Sequence, residues 1–302
     1  MSGASAPLRS PAAVPENAPV SLTAPVFDIK ELAVFDGPGV RVTVFFKGCP
    51  LRCAWCHNPE SWSFSPQLLA NPNGCSDCGK CAAVCPSPGR CTACARCVAA
   101  CPARLRSLCG IPYTPEVLAR VLRRHEGFLQ ACGGGITFSG GEPLAHAAFL
   151  RELLALLPGL HCAAETSGHC PKVDFLAVTS RLNLVLMDLK LIDPAQHRRY
   201  TGVDNALILE NLRALKASRT PFIIRIPLIP GVTDTEENLS TAAALLRGAP
   251  RLERVELLPY YKAAGAKYSM AGLHYSPPFD TERPPNADTS FFRDLDVPCL
   301  VL

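Results

Sequence analysis

Six short apolar segments, at 41–47, 136–139, 161–165, 184–189, 222–226 and 254–258, are β-branched or leucine-rich and recur with helical stretches between them. Alternation of strand and helix implies a parallel sheet. One helix is expected over 114–130, where Thr114 stands as N-cap, Pro115 takes the first helical position, and Val117, Leu118, Val121 and Leu122 recur at helical spacing. Others are "HAAFLRELLALL", stopped by Pro158-Gly159, and "NALILENLRAL" from Asn205. Six β/α units close most of a barrel, whose chemistry sits at the carboxyl ends of the strands. The reading is therefore α/β, a partial (β/α)6 barrel of the TIM type. The 302 residues, 48% of them hydrophobic, suit one large domain or one domain carrying a smaller one.

Residues 72–110 break the alternation with an internal repeat, "CSDCGKCAAVCP" at 75–86 and "CTACARCVAACP" at 91–102. Both copies spell C-x2-C-x2-C-x3-C-P, the run of the bacterial two-cluster ferredoxins, in which the fourth cysteine crosses to the other cluster. Cys75, Cys78, Cys81 and Cys101 are thus expected on one [4Fe–4S] cluster, and Cys91, Cys94, Cys97 and Cys85 on the second. Zinc knuckles are the alternative. The barrel is expected over 27–71 and 111–302, with 72–110 inserted as a ferredoxin-like domain.

The chain holds 16 cysteines, most of them in C-x2-C ladders. Disulfide frameworks staple small, core-poor domains, whereas such ladders suit metal clusters in a reducing compartment, so the expected home is the cytoplasm. Residues 1–26 are rich in Ala, Pro and Ser without a basic-then-apolar leader pattern, and read as a disordered tail. No apolar run approaches the roughly 20 residues of a membrane span. The net charge of +4 counts every cysteine as neutral. If eleven of the cysteines, the eight of the repeat and three more at 49, 53 and 56, bind three iron–sulfur clusters as thiolates, with about +2 per cluster core, the balance falls to about −1, and no Lys/Arg block remains to track phosphates. Neither a membrane nor a nucleic acid is expected as partner.

The first strand runs into a loop with three further cysteines, Cys49, Cys53 and Cys56. Structural zinc wants four ligands and a disulfide two, so three in one loop point to a metal centre with an open position. A zinc site completed by His57 is the alternative. The spacing C-x3-C-x-aromatic-C, with Trp55 as the aromatic residue, resembles the signature of the radical S-adenosylmethionine (radical SAM) enzymes. "SGGEP", Ser139 to Pro143, follows a strand and matches the same family; taken alone it is an ordinary turn. Its glycines allow a close backbone approach to a ligand, and Glu142 can accept from an ammonium.

The resemblance narrows with "FDGPGVRVTVFFKGCPLRCAWCHNPE" to the glycyl radical enzyme activating enzymes, and continues through "ETSG" at 165–168, "MDLK" at 187–190, "YTGVDNALILENL" at 200–212 and "IIRIPLIPGVTD" at 223–234. The twin insert is similar to that of the longer members. This resemblance implies a three-thiolate cluster at Cys49, Cys53 and Cys56 whose open iron is chelated by the methionyl amine and carboxylate of SAM. An electron to the sulfonium then releases a 5′-deoxyadenosyl radical. It further implies that Gly140, Gly141 and Glu142 hold the methionyl amino group, that Asp188 and Lys190 lie near the ribose and carboxylate, that Arg225 meets the carboxylate, and that Asn58 lies near the adenine. Glu165, Thr166 and Asp188 would correspond to a monovalent-cation site, and Asp36, Gly37, Pro38 and Gly39 would meet the glycine loop of a partner. The partners implied are a glycyl radical enzyme and a flavodoxin or ferredoxin-type electron donor. Two positions depart from the pattern: Tyr261 replaces the histidine of Leu-Pro-Tyr-His, and Glu165 replaces an aspartate of shorter members.

Plainer readings stand beside these. Asp188 and Lys190 share a face at a strand end, as an exposed ion pair worth about 0–1 kcal/mol also would. Asp36-Gly37-Pro38-Gly39 also suits a turn that positions the first strand. Cys109, Cys132, Cys162, Cys170 and Cys299, and His146, His161, His169, His197 and His274, show no ligand spacing. The functions in competition are an activase that takes a hydrogen from a glycine α-carbon, a radical SAM enzyme acting on a small molecule or peptide, and an electron carrier without catalysis.

Overall fold

A computed structural model describes residues 22–302. The tail expected over 1–26 lies outside the described residues as far as Ser21, and its last part is no tail: Ala24–Ala33 forms β1, with Ala24 and Val26 buried. β1 pairs antiparallel with β2, Arg41–Phe46, and shifts register between Lys30 and Ala33. A separate antiparallel pair, β3 (Gln67–Ala70) and β4 (Arg106–Cys109), frames the insert, which contains α1 (Lys80–Ala83) and α2 (Arg96–Ala100). β5, Ile111–Tyr113, then returns to the main sheet beside β1.

The helix expected over 114–130 is two helices, α3 (Pro115–Arg123) and α4 (Glu126–Ala131). Thr114 caps α3 by accepting from Val117 N, as its position predicts. The break precedes Gly127, a residue that costs a helix interior about 1 kcal/mol relative to alanine. From there strand and helix alternate: β6 (Gly135–Gly140), α5 (Ala147–Ala155), β7 (Cys162–Thr166), α6 (Lys172–Thr179), β8 (Leu184–Asp188), α7 (Pro194–Thr201), α8 (Ala206–Lys216), β9 (Phe222–Leu228), α9 (Glu236–Leu246), β10 (Leu252–Pro259) and β11 (Cys299–Val301).

The main sheet runs in the order β11-β10-β9-β8-β7-β6-β2-β1-β5, parallel from β2 to β11. Each new parallel strand adds on the same side of the last. Right-handed crossovers without a reversal keep every helix on one face, which is the winding of a barrel left open between its two edge strands.

The two faces of the sheet differ in chemistry. Val44, Phe46, Ile136, Phe138, Val185, Ile224 and Val255 point to the helices and form the main core. Residues one step out of phase point the other way. Some are apolar, namely Ala163, Leu184, Leu186 and Ile223. The rest are polar and mostly buried: Arg41, Thr43, Thr137, Ser139, Glu165, Asp188, Arg225 and Glu256. Buried polar groups must be hydrogen-bonded, and here they bond one another. Arg41 donates from Nε to Thr137 Oγ1 at 3.0 Å and from Nη2 to Ile136 O at 2.6 Å.

Candidate active site

A cavity of about 300 Å³ opens at the carboxyl ends of the strands. Its near wall is the loop after β2, which contributes Cys49, Cys53, Trp55, Cys56, His57 and Asn58. Backbone bonds hold this loop: Gly48 N donates to Ser61 O at 2.6 Å, Arg52 N to Thr201 O at 2.7 Å and Ala54 N to Tyr200 O at 2.9 Å. Trp55 is buried beside Tyr200, in a small apolar cluster with Leu51, Leu191, Ile229 and Val232. Burial raises the thiols of Cys49 and Cys56, and pushes Cys53 up to about 12 although Lys190 opposes it. A metal that binds them must displace three protons.

Gly140 and Gly141, at the end of β6, form the next part of the wall. Their lack of a side chain serves the chain's own packing. A Cβ on Gly140 would stand 2.3 Å from Phe46 N, and one on Gly141 would stand 2.4 Å from Gly48 O and 3.1 Å from Cys49 Cβ. The cysteine loop therefore rests directly on this backbone. Glu142 is not in the wall: it is fully buried beneath it. Its carboxylate accepts from Thr166 Oγ1 (2.6 Å), Ser167 N (2.8 Å), Ser167 Oγ (2.5 Å) and Leu144 N (3.0 Å). Expected to reach an ammonium, Glu142 instead joins β6 to the segment after β7, because these four donors fill its acceptor positions.

β7, β8 and β9 supply the floor with Glu165, Thr166, Asp188, Lys190 and Arg225. Lys190 Nζ donates to Asp188 Oδ2 at 2.6 Å, and Lys190 is 8% exposed, so this is no solvated surface pair. Burial alone would lower Lys190, yet Asp188 and Cys53 hold it above its ordinary value. Arg225 donates from Nε to Glu256 Oε2 at 2.7 Å, from Nη2 to Phe35 O at 2.5 Å, and from Nη1 to Glu165. Burial pushes the Glu165 carboxyl up while Arg225 pulls it down; with the guanidinium in direct contact, the charged pair is the state the geometry holds.

Asp36-Gly37-Pro38-Gly39 lines no part of this cavity. Asp36 Oδ2 accepts from Thr43 Oγ1 at 2.6 Å and its carbonyl from Thr137 Oγ1 at 2.7 Å. A Cβ on Gly39 would meet Gly133 O at 2.4 Å, so the turn packs on its own chain. It touches the site through Phe35 and Arg225. Tyr261 is 66% exposed with its ring edge toward His57, while Tyr260 lines the cavity.

Some contributors carry no motif. Lys267 binds Asn58 Oδ1 at 2.7 Å and Glu60 Oε1 at 2.8 Å, and Tyr268 stands edge-on to Trp62, so the segment after β10 straps the cysteine loop. Lys47, fully buried, donates to Gln67 Oε1 at 2.9 Å and to Glu60 O, tying that loop to the neck of the insert. Only a buried lysine in an apolar strand hints at this in sequence.

None of the sixteen cysteines is in a disulfide. Among the described residues no three His, Cys, Asp or Glu side chains converge on a single metal ion. The insert repeats in backbone what it repeats in sequence. Asp77 and Gly79 have φ of 49° and 69°, and their counterparts Ala93 and Ala95 have 54° and 60°. α1 and α2 begin directly after Gly79 and Ala95 and pack together. None of residues 72–108 is buried.

Residues 43–242 match the Radical SAM superfamily. The chain is 38% identical to the isethionate sulfite-lyase activating enzyme of Nitratidesulfovibrio vulgaris over 80% of this chain and 85% of that protein. It is 36% identical to the choline trimethylamine-lyase activating enzyme of Oleidesulfovibrio alaskensis (83% and 87%), and 33% identical to the indoleacetate decarboxylase activating enzyme of Tractidigestivibacter scatoligenes (93% and 98%). The crystal structure of a radical SAM methyltransferase from Sphaerobacter thermophilus matches 95% of this chain and 78% of its own, at a TM-score of 0.50 and 16% identity, a likeness of fold alone.

Proposed function

We propose that this chain, which belongs to the radical SAM superfamily and within it to the activating enzymes of glycyl radical enzymes, makes a glycyl radical on a partner protein at the cavity described above. The observation that carries this reading is the meeting of Cys49, Cys53 and Cys56 with a charged, buried floor at the strand ends. Cys49, Cys53 and Cys56 all line this one cavity, and three thiolates holding a cluster there would leave a fourth coordination position to a ligand within it. A reduced four-iron cluster held by Cys49, Cys53 and Cys56 would supply one electron to the SAM sulfonium, giving methionine and an adenosyl radical able to take a hydrogen atom from a glycine α-carbon, with 5′-deoxyadenosine and a glycyl radical as the products.

The chain's own residues orient SAM. Arg225 has five N–H donors, three of them engaged within the protein, and the other two are free for a carboxylate. Lys190 and Asp188 offer charge-assisted contacts at the same floor, and the backbone of Gly140 and Gly141 offers carbonyls to an ammonium. Asn58, with Oδ1 on Lys267, presents its amide at the other side. For partner binding, Asp36 keeps Oδ1 for a peptide N–H while Oδ2 stays on Thr43.

The insert is read as carrying two further [4Fe–4S] clusters, three in all. A segment of this length without a buried residue has no core to fold on, and left-handed Asp77, Ala93 and Ala95 each cost about 1–3 kcal/mol unless something imposes them. Thiolate ligation supplies both the missing stabilisation and the constraint. Closed four-cysteine coordination leaves electron transfer as the role, from a flavodoxin or ferredoxin-type donor in a reducing, cytoplasmic setting. No helix among the described residues is long and apolar enough to cross a membrane.

The test is anaerobic incubation of the reconstituted enzyme with SAM, a reductant and candidate glycyl radical enzymes from the same organism. A paramagnetic doublet on the partner chain, with one 5′-deoxyadenosine per radical, is expected. Release of 5′-deoxyadenosine with no doublet on any glycyl partner would turn the reading toward direct chemistry on a small molecule or peptide.

A further inference from the structure

The carboxylates at the strand ends of the cavity floor are paired before any ligand enters: those of Glu165, Asp188 and Glu256 each already have a cation. Asp188 holds Lys190 at 2.6 Å; Glu256 holds Arg225 at 2.7 Å and Arg254 at 2.6 Å; Glu165 holds Arg225. The resemblance implies an alkali ion beside SAM at Glu165, Thr166 and Asp188. Those residues do not fit one. Glu165 Oε1 is taken by Arg225 and Oε2 by Ser139 Oγ, Thr166 Oγ1 donates to Glu142 and accepts from Gly168 N at 2.8 Å, and Asp188 Oδ2 is on Lys190. A hard cation needs several oxygens at once, and these oxygens are already engaged by side-chain cations or by hydroxyl and amide groups.

We propose that the guanidinium of Arg225, clamped between Glu165 and Glu256, is the resident cation of this site and that SAM binds without an alkali ion. Chain length makes this possible: the glutamate side chain at 165, one methylene longer than an aspartate, carries its carboxylate to an arginine two strands away. A fixed guanidinium is planar, permanently charged and already desolvated, so it presents its remaining N–H groups to a carboxylate with little reordering. The inference rests on the reading that this cavity takes SAM, and it concerns what neutralises the floor there.

The experiment is equilibrium dialysis of SAM against the reconstituted full chain in buffers whose only monovalent cation is potassium, sodium or tetramethylammonium. Affinity should agree among the three within about twofold, well under the 5- to 150-fold span of a typical coupled site. A saturable tightening of about fivefold or more in potassium or sodium would overturn the proposal. Arg225→Ala should weaken binding in tetramethylammonium and recover in part with added guanidinium or potassium. An Arg225→Ala chain that binds SAM as tightly as wild type in tetramethylammonium would also overturn it. Should that variant not fold, the wild-type salt series decides alone. Binding in none of the three salts would sink the SAM-site reading itself, and this inference with it.

Discussion

Asp36 accepts a hydrogen bond from Thr43, its carbonyl takes another from Thr137, and Phe35, one residue back, holds Arg225 through its own carbonyl. Two roles therefore meet in one turn. The docking role predicts that Asp36→Ala raises the Michaelis constant for a peptide copied from the partner's glycine loop, while SAM cleavage without peptide stays near wild type. The lost internal bond costs about 1 kcal/mol of stability. If peptide turnover and uncoupled cleavage fall together, the turn serves only to brace β2 and Arg225. That Cys49, Cys53, Cys56, Trp55, Asn58, Asp188 and Lys190 line one cavity was anticipated from their types and spacing. Glu142 misled because a carboxylate in a turn looks the same whether it faces a ligand or four internal donors. Lys267 and Glu256 could not be found, since each joins the site through a fold contact and no local pattern marks it.

On the proposed reading the insert is an element whose structure depends on the clusters it binds. Replacing Cys91, Cys94 and Cys97 with alanine should remove the ligands of one cluster and cut turnover with a physiological reductant. SAM cleavage driven by a strong artificial reductant should partly survive, because the Cys49 loop is built on β2 and β6 rather than on the insert. Undiminished turnover with the physiological donor would rule out an obligatory relay. Among the strands, the six central ones were evident as apolar runs. β1, β5 and β11 were not: β1 is largely half-exposed, and β5 and β11 have three residues each, too few to show a period. The split of the expected 114–130 helix escaped for a related reason, since its apolar spacing continues across the break.

Across the whole molecule, a sheet with one apolar and one polar buried face makes stability depend on protonation. Burial holds His146, His161 and His197 below the ordinary value of 6.5, so the folded chain keeps them neutral. As pH falls through about 6.5 the unfolded chain binds protons that the folded chain refuses, and stability drops by up to about 1.4 kcal/mol per pH unit for each such histidine. The urea midpoint should be lower at pH 5.5 than at pH 7.5, with a smaller difference in His197→Gln, whose parent ring bonds Val203 O at 2.7 Å. An unchanged or higher midpoint at pH 5.5 would contradict the assignment of these histidines as buried and neutral.

The most direct measurement concerns the open cluster. With three four-iron clusters on eleven thiolates, the reconstituted chain should hold about 12 iron atoms. Replacing Cys49, Cys53 and Cys56 together with alanine should remove about a third of that iron and abolish 5′-deoxyadenosine formation, while the insert keeps its two clusters. A triple variant that still cleaves SAM reductively would place the chemistry outside this cavity and contradict the account at its centre.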